Sequence, residues 1–70
     1  MLTVELDESR AEVAICFDGE GLARLVSELQ SLKAGDHTHL GASSWAGDGL
    51  DEAPVGRGTI LVHQLRLVRL

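Results

Sequence analysis

The stretch Asp18–Leu32, DGEGLARLVSELQSL, decides the fold. Asp18 stands where a helix N-cap belongs, because its carboxylate can accept from the free amides of a first turn. Glu20 adds negative charge at the positive end of the helix dipole. Leu22, Leu25, Val26, Leu29 and Leu32 fall on an arc of roughly 120° when wound at about 3.6 residues per turn. Arg24, Ser27, Glu28 and Ser31 lie on the other side. Lys33 near the end and Gly35 just past it mark the C-terminus. The pattern predicts one amphipathic helix lying on a sheet.

The sheet is written on both sides of that helix. Leu2-Thr3-Val4-Glu5-Leu6 alternates strictly and reads as a half-buried strand with Leu2, Val4 and Leu6 on the core face. After the polar turn Asp7–Ala11, a second alternation places Val13, Ile15 and Phe17 on one face and Glu12, Ala14 and Cys16 on the other. The short connection favours an antiparallel hairpin. Downstream, Asp36–Leu40 reads as a short strand, with His37 and His39 on one face and Thr38 and Leu40 on the other. Gly41–Gly58 has five glycines and the only proline, and no sustained apolar period. A loop of that length in a small domain is usually functional or disordered. Thr59–Leu70 reads as a long strand whose phase changes, since Ile60 and Val62 are out of step with Leu65 and Leu67. A bulge near His63-Gln64 would restore one buried face; the alternative is that both faces are partly covered, one of them by a second copy of the chain. The resulting order, β-β-α-β-β, predicts a single α+β domain over residues 1–70. Its core would be a small, mostly antiparallel four-stranded sheet with the helix packed across it. The second and third strands would be parallel or separated.

Composition narrows the function. Seventy residues with 44% apolar content suffice for one core layer, and so small a domain gains from a partner or a homodimer. Eleven acids against six bases leave a net charge of −5, which repels phosphate backbones and argues against nucleic acid as a partner. A basic protein suits it better. The single cysteine, Cys16, cannot form an internal disulfide and fits a reducing cytoplasm. No long apolar run or signal-like start points to a membrane or to export.

Chemistry-bearing residues concentrate in His37–Leu50, HTHLGASSWAGDGL. His37 and His39 have a spacing that metal proteins use on strands, and His63, Asp36 or Asp48 would be needed to complete a site. The simpler expectation is that no metal or cofactor is bound and that the two imidazoles pin the following loop. A catalytic arrangement would need Cys16 or Ser44 beside a histidine. Cys16 lies inside a strand, and Ser44 lacks the strand-turn-helix setting of a nucleophile elbow, so the chain reads as a non-enzyme. Trp45, the only tryptophan, is either a cap on the core or an interface anchor. Asp48, Asp51 and Glu52 follow it closely and make, with Trp45, a candidate surface for a basic protein.

The order of these features resembles the immunity protein 32 family of bacterial polymorphic toxin systems. An acidic strand-and-helix start is followed by G-D-H-T-H-L at Gly35–Leu40 and by Ser44–Gly47, S-W with a small residue and a glycine after it. The resemblance runs from Val4 to Leu70, and those two motifs carry its specificity. Members commonly have Met-Thr-Pro between them. Gly41-Ala42-Ser43 stands there in this chain, which implies a different backbone path. The resemblance implies neutralisation of a cognate toxin by direct binding, without catalysis, and the lone Cys16 sets the expected place of that binding in the cytoplasm. The alternative is a small homo-oligomeric metal- or ligand-binding module using His37, His39 and His63. A homodimer through the C-terminal strand is a further expectation.

Overall fold

The computed structural model describes residues 1–45 and 47–70. The N-terminal hairpin is as expected. β1 (Leu2–Asp7) and β2 (Glu12–Phe17) pair antiparallel, with Leu2 opposite Phe17 and Asp7 opposite Glu12. The helix α1 (Gly19–Ser31) follows directly, and Asp18 caps it by accepting from the Gly21 amide at 3.0 Å. The chain leaves the helix at Leu32 and turns at Gly35, whose φ of +86° only glycine adopts without strain. Arg69 closes that end by donating from Nη1 to the Leu32 carbonyl at 2.7 Å.

The single four-stranded sheet does not form. β1 lies between β2 and β5 (Ile60–Leu61) in one three-stranded sheet. β3 (His37–Ala42) lies between β4 (Gly49–Leu50) and β6 (Gln64–Val68) in another. All pairings are antiparallel except β3 with β4. The second and third strands of the expected order, β2 and β3, are therefore separated. The phase change in Thr59–Leu70 has a simple cause: the chain switches sheets there. Ile60 and Leu61 pair with β1, the Val62 amide still donates to the Val4 carbonyl at 2.8 Å, and the His63 carbonyl already accepts from Ala42 at 2.9 Å. Each half of the run has its own inward face, so no bulge is needed.

The core lies where the two sheets meet. Leu2, Val4, Leu40 and Leu50 are buried together, with Leu25, Val62 and Leu65 packed against them. β1 is covered on both faces, not one: Leu2, Thr3, Val4 and Glu5 are each 2% exposed or less. Burying Glu5 requires that its carboxylate be fully partnered. It accepts from the Thr3 hydroxyl at 2.6 Å, the Val55 and Gly56 amides at 2.9 Å, and the Thr59 hydroxyl at 2.8 Å. The far half of the long loop is thus folded down on the face that alternation assigned to solvent.

The helix is less covered than its arc implied. Leu25 and Leu32 point inward, whereas Leu22, Val26 and Leu29 remain about half exposed. Val13, Ile15 and Phe17, the apolar face of the second alternation, are also exposed, because β2 is the outer strand of its sheet. Among the described residues, no helix is long and apolar enough to cross a membrane.

Candidate functional site

The Trp45 turn begins with a close approach of two backbones. The Gly41 amide donates to the Asp48 carbonyl at 2.9 Å, and the Gly47 amide donates to the Ala42 carbonyl at 3.0 Å. A Cβ placed on Gly47 would lie 2.4 Å from the Gly41 Cα, so only glycine fits at that crossing. Between these two ties the chain makes a 3₁₀ turn, Ser43–Trp45. The Ser43 and Ser44 hydroxyls both donate to the Glu52 carboxylate, at 3.3 Å for Ser43. The turn is therefore braced from its base and from its side.

On this support Trp45 points outward and is 60% exposed. Its ring lies 5.3 Å from that of His63 at an interplanar angle of 31°, within the range for aromatic contact. Trp45 does not cap the core, since the cluster of buried side chains closes without it. Beside the ring is an open recess of about 440 Å³ lined by His39, Leu40, Gly41, Asp48 and Gln64.

Asp48 connects the recess to the helix. Its carboxylate accepts from Arg24 Nη2 at 3.2 Å, while Arg24 Nε donates to Glu28 at 3.0 Å. Thr38 completes the group by donating its hydroxyl to Glu28 at 3.3 Å. The hydrogen bond to Asp48, then the one to Glu28, raises the Arg24 pKa above its ordinary value against the opposing cost of desolvation.

The four residues expected to bind a partner thus have different environments. Trp45 and Asp48 face the same recess. Glu52 braces the turn from its exposed side. Asp51 is engaged with β1: it accepts from the Leu2 amide through Oδ2 and donates its own amide to the Leu2 carbonyl, both at 2.8 Å. It joins the strand system and is not free to reach a partner with that oxygen.

His37 and His39 contact each other edge to face, with ring centroids 5.2 Å apart. Among the described residues, neither donates or accepts a hydrogen bond with the loop. The loop is instead tied down by Glu5, Asp51 and Glu52. His63 lies against Trp45 rather than beside the histidine pair. Among the described residues, no three His, Cys, Asp or Glu side chains gather as a metal would require. The Ser44 hydroxyl is directed to Glu52, and Cys16 is half-buried within β2.

Two parts of the site were not read from the sequence. The five glycines of Gly41–Gly58 stand out in the sequence only as a group, whereas Gly41 and Gly47 form the crossing that shapes the turn. Strict alternation puts Glu5 on the face opposite Leu2, Val4 and Leu6, yet it is buried. The hydrogen bond from Thr3, followed by those from Val55 and Gly56, holds its pKa down to about 2. The pairing of Thr3 with Glu5 on one strand face was the available signal, since a hydroxyl and a carboxylate two residues apart can satisfy each other when buried. No family model, curated protein or solved structure matches the chain.

Proposed function

We propose that this chain is an immunity-type protein that binds and neutralises a cognate toxin domain without catalysis, and that the Trp45 turn is its principal contact. The observation that carries the reading is the only tryptophan of the chain, 60% exposed on a turn braced by Gly41, Gly47 and Glu52. An exposed indole held in place in advance loses little entropy on binding, and tryptophan is among the residues that dominate interface energies. His39 and Leu40 of the first motif that carries the resemblance to immunity protein 32, and Trp45 and Gly47 of the second, line this same recess.

Asp48 on the recess shared with Trp45, Glu52 at the Ser43–Ser44 hydroxyls and Asp51 beside Leu2 supply negative charge near the turn and suit a basic partner. A metal- or ligand-binding module on His37, His39 and His63 has no comparable support, because the first two contact each other and the third lies against Trp45. The test is co-expression with the protein encoded beside this chain, which the proposal requires to carry the toxin domain. Growth protection and a co-purifying complex are expected, and both should be weakened by Trp45→Ala in a chain that remains folded. Undiminished protection by that folded variant would remove Trp45 from the interface.

A further inference from the structure

β2 is an outer strand, and the hydrogen-bonding direction of its backbone follows from its neighbour. On β1, the Leu2 amide and carbonyl both engage Asp51, and the Val4 carbonyl accepts from Val62. Leu2, Val4 and Leu6 therefore direct their backbone groups away from β2, since the groups of one residue point to one side of a strand and alternate along it. The residues bonding inward from β2 are then Glu12, Ala14 and Cys16, paired with Asp7, Glu5 and Thr3. Val13, Ile15 and Phe17 turn their amides and carbonyls outward, where none has a partner among the described residues.

The side chains of the same three residues share the face of Leu2 and Val4, the face that α1 covers through Leu25. The helix runs beside that face, with Gly21 close against the Phe17 Cβ; Arg24 and Glu28 turn towards Asp48 and Thr38, which leaves the uncovered stripe Leu22, Val26 and Leu29 on the opposite side of the helix. All six side chains are between 41% and 61% exposed. Together they leave on the order of 500 Å² of apolar surface, which exceeds what scattered exposed residues account for and approaches the ~800 Å² per partner of an ordinary interface.

We propose that a second copy of the chain docks here, β2 pairing antiparallel with β2 about a twofold axis at Ile15. In that register Ile15 exchanges hydrogen bonds with the partner's Ile15, and Val13 with the partner's Phe17. Every outward donor and acceptor on Val13, Ile15 and Phe17 is then satisfied. The two helix stripes close over the joined strands, so the apolar face and the open edge are covered by one symmetric contact. No charge, proline or bulge interrupts Val13–Phe17, the devices by which solitary edges avoid pairing. β6, the other long edge, carries Arg66 between Leu65 and Leu67 and has such a device. At the ends of the new ladder Glu12 faces the partner's Asp18. The contact of Asp18 with the Met1 ammonium offsets that like-charge pair only in part, so association strengthens as salt rises. This dimer is independent of the reading of Trp45.

Light scattering on the full chain at micromolar concentration should return about twice the chain mass, and Ile15→Lys should return one. A second variant fixes the register. Ala14 comes opposite the partner's Cys16 in a pair without hydrogen bonds, with Cα atoms about 4.5 Å apart, which a disulfide spans. Ala14→Cys should therefore cross-link into dimers under mild oxidation, and Cys16→Ser in the same chain should abolish the cross-link. A monomeric parent would overturn the proposal. So would a dimer that survives Ile15→Lys but is lost in Leu67→Lys, or an Ala14→Cys chain that stays uncross-linked, whether or not Ile15→Lys folds.

Discussion

The Gly47 backbone crosses Gly41 so closely that a methyl group on Gly47 would stand 2.4 Å from the Gly41 Cα. That crossing orients the Trp45 turn. Gly47→Ala must therefore push the two segments apart, at about 1–3 kcal/mol by the usual cost of overpacking. The expected signature is local as well as global. Tryptophan emission should change as the ring leaves His63, because Trp45 is the only tryptophan to report. An alanine variant with parental stability and emission would mean that the turn does not depend on the crossing.

Gly21 gives a case in which two effects oppose each other. Alanine is favoured over glycine inside a helix by up to about 1 kcal/mol, so propensity alone predicts that Gly21→Ala stabilises α1. At this position, however, the added Cβ would lie 1.9 Å from the Met1 carbonyl oxygen and 2.9 Å from the Phe17 Cβ. Steric exclusion outweighs propensity, and a lower Tm is expected in thermal unfolding. A Tm equal to or above that of the parent would contradict this close packing of the helix start.

Glu5 makes stability depend on acid. Its folded pKa of about 2 lies below the ordinary value of 4.5. The carboxylate thus contributes stability that is fully present above the unfolded pKa and is lost as pH falls from about 4.5 towards 2. Glu5→Gln removes the charge while keeping the shape, and it presents an amide donor to the Val55 and Gly56 amides. The variant should melt lower at neutral pH and lose less of its remaining stability on acidification. Parallel pH profiles for parent and variant would show that Glu5 is not what holds the loop to β1.

Local patterns in the sequence were read well, and long-range closures were not. Asp18 as N-cap, the β1–β2 hairpin and the turn at Gly35 depend on neighbours in the chain, and all three stand where the pattern put them. The split into two sheets depends on where Val62 and His63 find partners, on Val4 and Ala42, and no local period carries that choice. The phase change between Ile60 and Leu65 did register it, as an irregularity with more than one explanation. Leu22, Val26 and Leu29 belong to the apolar arc, but whether an arc is fully covered depends on the width of the sheet beneath it. At the site, Trp45 and Asp48 could be singled out by residue type. The use of Asp51 for β1 and of Glu5 for the loop involves contacts about fifty residues apart, with separations of 49, 50 and 51. Spacing along the chain holds no trace of them.

The acidic residues around Trp45 should divide by role. Asp48→Asn releases Arg24 from one of its two carboxylates and leaves it paired with Glu28. As an exposed pair, the lost contact should change stability by no more than about 1 kcal/mol. Its effect on a basic partner should fall mainly on the association rate and on the salt dependence of that rate. Stopped-flow association over a range of salt concentrations measures both. An effect confined to the dissociation rate would place Asp48 inside the contact rather than at its rim.

The proposed role of Trp45 is tested most directly by the rate at which the folded Trp45→Ala chain dissociates from the toxin domain that the proposal requires as its partner, measured against the parent. Truncating a hot-spot tryptophan costs about 2 kcal/mol or more, on the order of thirtyfold in affinity, most of it in faster dissociation. That acceleration is expected, with little change in association. An unchanged rate in a variant with parental Tm would contradict it and move the interface away from the Trp45 turn.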